Sequence, residues 1–421
     1  MRHFAAASGG HAAAGRRPAS GNAFQNGGTT AAALRHLTVL LCAAVAAAAV
    51  RPQAGDAGQA LDRYGGTREV RARATGFFRA EVIGGRWWLV TPEGHGFLSA
   101  GVNHVDYKED YSSRFVKIVT GHLRDWGFNT IGWSQESMNP VFEKGKVAHS
   151  RGWGPAQYRA ARMPYVHLIR FTDIEWYADE RFPDVFGAAF AAACDRLASG
   201  VCRELRDDPF LLGYFYSDTP NWPLWAEKAG ATGIGALARR YYDVIRESIR
   251  RHDPNHLLLG DRLKANAVIP SGGGRVRGVL DPVLDAMRGR VDVLSLEYYG
   301  ADEEFEENIR AWSARAGMPV LLADSAFLAP TDALRIAPGS AVYAPDQNSR
   351  GELYRQFARR VYSNPRVIGW HWCAFGRSRG RRSGLLDGND RPYEDCVAKM
   401  RAFNRNELYS VGMSARERET P

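Results

Sequence analysis

Phe210–Trp222, FLLGYFYSDTPNW, decides how the rest of the chain is read. Its first half is a continuous apolar run that ends in polar and aromatic residues, the pattern of a strand buried on both faces emerging into a site. Parallel strands of an α/β sheet or barrel mount ligand-binding and catalytic groups at their carboxyl ends. Chemistry is therefore expected at Ser217, Asp218 and Trp222, together with the ends of neighbouring strands.

Working outward, further strands end in the same way. Phe97–Val102 leads to Asn103 and His104, Phe128–Ile131 to Trp133 and Ser134, and Tyr165–Ile169 is a third strand. His256–Leu259 leads to Asp261 and Arg262, Val291–Leu296 to Glu297, Tyr298 and Tyr299, Pro319–Ala323 to Asp324, and Arg366–Gly369 to Trp370, His371 and Trp372. Helical spacing separates them over Phe115–Trp126, Val185–Arg206, Ile234–Arg251, Val283–Arg288, Glu303–Ala316 and Gly351–Tyr362. About eight βα units predict a (β/α)8 TIM barrel. Phe77–Val90, with its Gly84-Gly85 turn, predicts a short β-hairpin ahead of it. A doubly wound sheet is the alternative, but Gly272–Gly274 does not follow a strand as a phosphate-binding turn requires.

The domain reading is residues 1–60 as signal peptide and disordered segment, 61–96 as hairpin extension, 97–408 as barrel and 409–421 as flexible tail. Leu37–Val50, LTVLLCAAVAAAAV, follows Arg35 and His36 and is too short for a comfortable membrane span, so secretion or export to the periplasm is expected, with no stable membrane insertion afterwards. Cys42 makes a weak lipoprotein site. The insertion 139–163 is long enough to be functional or flexible.

The chain has 421 residues, is 45% hydrophobic and carries a formal charge of +9. That size supports a large core. The excess arginine reads as solvated helix faces or as attraction to an anionic polymer. No basic run interleaved with aromatics marks a nucleic-acid surface. Cys194 and Cys202 are separated by roughly 12 Å of helical rise, too far for a mutual disulfide. Cys373 and Cys396 could pair if the C-terminal segment folds back, although buried free thiols are favoured. Nothing in the cysteine and histidine spacing suggests zinc, and no metal or organic cofactor is expected.

Carboxylates alternating with indole and phenol rings at the strand ends suit carbohydrate. Aromatic faces stack on sugar C–H faces, and two carboxylates flanking a glycosidic oxygen are the minimum apparatus for hydrolysis. Asp218, Glu297 and Asp324 are the catalytic candidates, with structural readings as turn cap or paired core carboxylate. Asn103, His104, Trp133, Trp222, Tyr298, Tyr299, His371, Trp372 and Arg377 are the substrate-binding candidates. Arg377, Arg379, Arg381 and Arg382 form either a solvated loop or a site for sulfate or carboxylate groups on an anionic glycan.

GRWWLVTPEGHGFLSAGVNHV (residues 85–105) resembles the opening of beta-agarases of glycoside hydrolase family 50, where a hairpin with a Trp-Trp pair passes through a PEGH turn into the first barrel strand. GFNTIGW, LLGYFYSDTPNW, VDVLSLEYY, MPVLLADSAF and VIGWHWCAFGR fall in the order of strands two, four, six, seven and eight of that clan A barrel. GLLDGNDRPY (residues 384–393) looks like the return segment of the same group. The resemblance covers roughly residues 77–408 and implies a polysaccharide or oligosaccharide substrate. It also implies an Asn-Glu pair ending strand four and a Glu ending strand seven. This chain has Asp218-Thr219 and Asp324 there, and Glu297 where many members carry an amide. A side chain shorter by about 1.5 Å misplaces a proton donor unless backbone or substrate shifts. A barrel that holds glycan without cleaving it, or a lyase or transferase, is the alternative to a hydrolase.

Overall fold

The computed structural model describes residues 60–105, 110–134, 152–172, 183–266, 278–300, 302–331, 343–376 and 383–416. The expected signal segment, Leu37–Val50, and the arginines Arg377, Arg379, Arg381 and Arg382 lie outside them, as does much of the 139–163 insertion. Four short strands come first: β1 (Thr67–Arg71), β2 (Arg79–Ile83), β3 (Arg86–Val90) and β4 (His95–Phe97). The expected hairpin is β2–β3, and Gly84 and Gly85 turn it with φ of 59° and 76°, the left-handed pair such a tight turn needs. It is part of a larger element, an antiparallel sheet in the order β1-β4-β3-β2.

The remaining strands are β5 (Ser99–Val102), β6 (Thr130–Ile131), β7 (Tyr165–Leu168), β8 (Leu211–Asp218), β9 (Leu257–Lys264), β10 (Leu294–Glu297), β11 (Val320–Ser325) and β12 (Val367–Trp372). They close in chain order into an eight-stranded parallel barrel. The helices are α1 (Ser113–Asp125), α2 (Pro155–Ala161), α3 (Ala188–Leu205), α4 (Trp222–His252), α5 (Asp281–Met287), α6 (Phe305–Ala316), α7 (Gln347–Tyr362), α8 (Glu394–Asn406) and α9 (Leu408–Ser414). The TIM barrel with a preceding hairpin expected from the sequence is thus the observed architecture.

Two apolar layers hold it together. Inside, Val166, Leu168, Leu212, Phe215, Leu257, Leu259, Val293, Leu321 and Ile368 meet one another and also Tyr64, Phe78, Leu89 and Phe97, so the N-terminal sheet plugs the amino-terminal end of the barrel. Outside, strand residues such as Leu258, Leu294 and Leu322 join the buried faces of the helices in a second cluster.

Several boundaries differ from the sequence reading. Helix α4 begins at Trp222 rather than Ile234, because Asn221 caps it by accepting from the Leu224 N–H and Pro223 fits its first turn. Strands β8, β9 and β12 run on through Asp218, Lys264 and Trp372, taking in residues read as loop. The tail expected from 409 is instead α9, with Leu408, Tyr409 and Gly412 buried. Buried Arg86 secures it, donating to the carbonyls of Tyr362, Val367 and Gly412 and so joining β3 to α7, β12 and α9. All four described cysteines are buried free thiols, so Cys373 and Cys396 are not paired. Among the described residues no helix is long and apolar enough to cross a membrane.

Candidate active site at the barrel mouth

Arg262 organises the carboxyl-terminal end of the barrel. Its fully buried guanidinium donates from Nη1 to Asp218 Oδ1 at 2.9 Å and from Nη2 to Asp324 Oδ2 at 2.5 Å, with Glu297 Oε1 at 3.2 Å from the same Nη2. Trp133 lies against the cation, its ring centroid 4.3 Å from the guanidinium carbon. The ends of β8, β9, β10 and β11 are thereby drawn onto one charge.

Strand bulges put these side chains there. Phe215, Leu259 and Ala323 belong to the inner cluster, so strict alternation would carry Asp218, Arg262 and Asp324 outward. Each strand instead slips register just before its functional residue: β8 between Phe215 and Asp218, β9 opposite Tyr214 and Phe215, and β11 where Leu296 and Glu297 face Leu322 and Asp324. A bulge adds a residue and turns the following side chain to the other face. In β9 the residue passed over by the register is Leu259, and Gly260 after it has a φ of 65°, which suits glycine. Glu297 needs no such device, since Val293 already sets its parity inward.

The residues beside them face outward and form a second polar centre. Buried Asp261 accepts from Ser217 Oγ at 2.7 Å, Tyr241 at 2.9 Å, Tyr242 at 2.6 Å and Trp222 Nε1 at 3.3 Å. Burial lifts its pKa above the ordinary aspartate range while the four donors pull it back. Because Ser217 and Asp261 precede Asp218 and Arg262 directly, this cluster fixes the backbone on which the mouth is mounted. Asp261→Asn would turn an N–H2 toward hydroxyl donors and is expected to cost about 2–4 kcal/mol. Urea unfolding of the variant would measure it, and a midpoint equal to the parent's would remove Asp261 from this role.

The electrostatics separate the three acids. Arg262 is held more firmly protonated than usual: burial opposes its charge, but Asp218, Asp324 and Glu297 outweigh it. Glu297 is driven well above the ordinary glutamate range by burial and then by Asp218 and Asp324, against the pull of Arg262 and Lys264. This setting favours the protonated carboxyl of Glu297. A carboxyl whose folded pKa is raised costs stability as pH climbs above its unfolded value near 4.5, because only the native state retains the proton. Glu297→Gln is expected to gain on the parent over that window, by up to about 1.4 kcal/mol per pH unit. Urea midpoints at pH 4 and pH 7 test this, and a constant difference between the two proteins would contradict it.

The other candidates divide. Asn103 accepts from the Trp133 N–H at 2.9 Å and donates to the Ala323 carbonyl at 2.9 Å, bracing β5 against both β6 and β11. His104 packs edge-on to Trp133, centroids 4.7 Å apart. Tyr299 feels Asp324, Cys373 and Glu297 in addition to its burial, which together raise its pKa well above normal. These side chains surround the carboxylates. Three rings read as a sugar platform do not: Trp222 packs on Tyr241 and Tyr242, Tyr298 on Phe305 of α6, and Trp372 near Tyr354 of α7, all three fully buried. The same alternation that turns Glu297 inward turns Tyr298 outward. His371 lies inside the barrel against Gly101, its Nε2 2.8 Å from Ser99 Oγ. Burial, then Arg262, push its pKa down to about 3, so it is neutral. Arg262 was visible in the sequence only as a residue ending a strand; its place between three acids marks it out.

A (β/α)8 barrel with three carboxylates gathered at its carboxyl-terminal mouth is the class of protein that fold and site define. In sequence and fold the chain resembles the beta-agarase-like glycoside hydrolases. It is similar to Beta-agarase B of Vibrio sp. (strain JT0107), 24% identical over 503 residues, covering 82% of this chain and 49% of that protein. The chain thus spans about half the length of the curated relative it matches. No family model matches it. Similar solved structures include an agarase, AgWH50C, with TM-score 0.65 and 21% identity over 84% of this chain and 67% of that one. An exo-beta-agarase matches with TM-score 0.65 and 18% identity, over 84% and 68% of the two chains. A beta-glucuronidase from an uncultured Clostridium sp. matches with TM-score 0.52 and 11% identity, over 78% and 53%. These structural likenesses concern the barrel fold.

Proposed function

We propose that the protein is a glycoside hydrolase acting on a polysaccharide or oligosaccharide, with Asp324 as nucleophile and Glu297 as acid. The convergence of Asp218, Glu297 and Asp324 on Arg262 carries this reading. Glu297, whose protonated form its burial favours, supplies the proton to the glycosidic oxygen; Asp324, held by Arg262 through one carboxylate oxygen, attacks the anomeric carbon; Asp218 completes the neutralisation of the guanidinium. Likeness to beta-agarases supports a glycan substrate.

The separation of the pair favours retention. Glu297 and Asp324 oxygens share one guanidinium nitrogen at 3.2 and 2.5 Å. That holds them within about 6 Å, near the roughly 5–5.5 Å of retaining enzymes and short of the roughly 6.5–9.5 Å that leaves room for an attacking water. Reducing-end release from a panel of neutral and anionic polysaccharides, with NMR of the first-formed anomer, tests the proposal. Net retention supports the pair; inversion would reassign Asp324 as a base. A second reading, a barrel that binds glycan without cleaving it, is favoured by Asp218-Thr219 standing where relatives are expected to carry Asn-Glu. Binding without release on any substrate would select it.

A further inference from the structure

We propose that the barrel mouth holds a divalent transition-metal site, of the zinc type, formed by His104, Asp324 and Cys373. One ligand atom from each, an imidazole nitrogen, a carboxylate oxygen and the thiol sulfur, lies within 4.8 Å of the other two, and all three residues are buried. Tetrahedral bonds of about 2.0–2.3 Å place ligand atoms roughly 3.5 Å apart, so small side-chain rotations suffice to close the set. Nitrogen, oxygen and sulfur donors together suit zinc rather than calcium or magnesium, which take oxygen alone.

Two independent observations point to a ligand here. Asp324 is 5% exposed, yet its Oδ1 is buried without a hydrogen-bond partner, while its Oδ2 is held by Arg262. A carboxylate that binds metal through one oxygen commonly has the other fixed by a donor in this way. The charge balance agrees: with Glu297 set aside as the acid, two carboxylates, Asp218 and Asp324, face a single guanidinium, and a dication held together with the Cys373 thiolate offsets the excess. Three protein ligands leave a fourth position open toward the mouth, where a sugar hydroxyl or water would complete the coordination.

The site shares Asp324 with the proposed reaction, so an occupied site withdraws the nucleophile and added zinc suppresses cleavage. The cluster itself does not depend on that reaction, and the test reads metal directly. Equilibrium dialysis of the whole chain against Zn²⁺ alone, with metal analysis, is expected to give one ion per chain. Co²⁺ in its place is expected to give a thiolate-to-cobalt charge-transfer band. Cys373→Ser should abolish the band and weaken zinc roughly a hundredfold, and His104→Gln should weaken it roughly tenfold. Cys396→Ser, a buried thiol on α8, should change neither. Circular dichroism confirms folding of each variant. Absence of zinc uptake, or uptake and a cobalt band that survive Cys373→Ser, would overturn the site, while zinc uptake by a chain that cleaves no glycan even when stripped of metal by a chelator would uphold it and count against the hydrolase reading alone.

Discussion

Replacing Arg262 by methionine is expected to destabilise the protein by about 3–5 kcal/mol at pH 7, the largest single loss at the barrel mouth. The guanidinium is wholly buried and meets Asp218, Glu297 and Asp324. Without it, carboxylates on β8 and β11 face each other with no buried cation in contact, and removing one partner of a buried pair exposes the full desolvation cost of what remains. Arg262→Lys keeps the charge but not the fork. A single ammonium cannot reproduce donation from Nη1 to β8 and from Nη2 to β11, so an intermediate loss is expected. Urea unfolding at pH 7 reads both variants; a methionine variant as stable as the parent would show that the cluster is not held by this cation.

The second large effect is on chemistry, and it separates the two proposed roles. Asp324→Asn is expected to lower kcat/KM by about a thousandfold or more on every substrate, since no other described carboxylate occupies the end of β11. Glu297→Gln should fall comparably, by about 10²–10⁴-fold, on a polysaccharide whose leaving oxygen must be protonated. On an aryl glycoside with an acidic phenol as leaving group, Glu297→Gln should retain most activity, while Asp324→Asn should not. If both variants respond alike to the leaving group, the acid has been misassigned and Asp218 becomes the candidate. This comparison also isolates the consequence of lacking a glutamate at the end of β8.

Much of this was legible in the chain. Apolar runs over Phe210–Tyr216 and Pro319–Ala323 identified strands, because a strand covered on both faces must be apolar at consecutive positions. Helical spacing between them indicated the barrel, and the Gly84-Gly85 turn indicated the hairpin, because local backbone sterics restrict such turns to residues that tolerate positive φ. That carboxylates and aromatics end several strands was equally a property of the sequence, and the three acids named from it converge.

Which face each of those residues uses was decided elsewhere. Tyr298 and Glu297 are neighbours, as are Ser217 and Asp218, Asp261 and Arg262, and His371 and Trp372, and in every pair one member enters the barrel while the other packs outside. Runs that are apolar on both faces carry no alternation from which parity can be read, and the bulges in β8, β9 and β11 reverse it where it could be guessed. Hence Trp222, Tyr298 and Trp372 became core while Arg262 became the hub. The sequence by itself determined the order of elements and the chemical kinds at their ends, since both follow from local propensity and composition. Only the closed barrel decided which ends meet, because the register of eight parallel strands is set by contacts between residues distant in the chain.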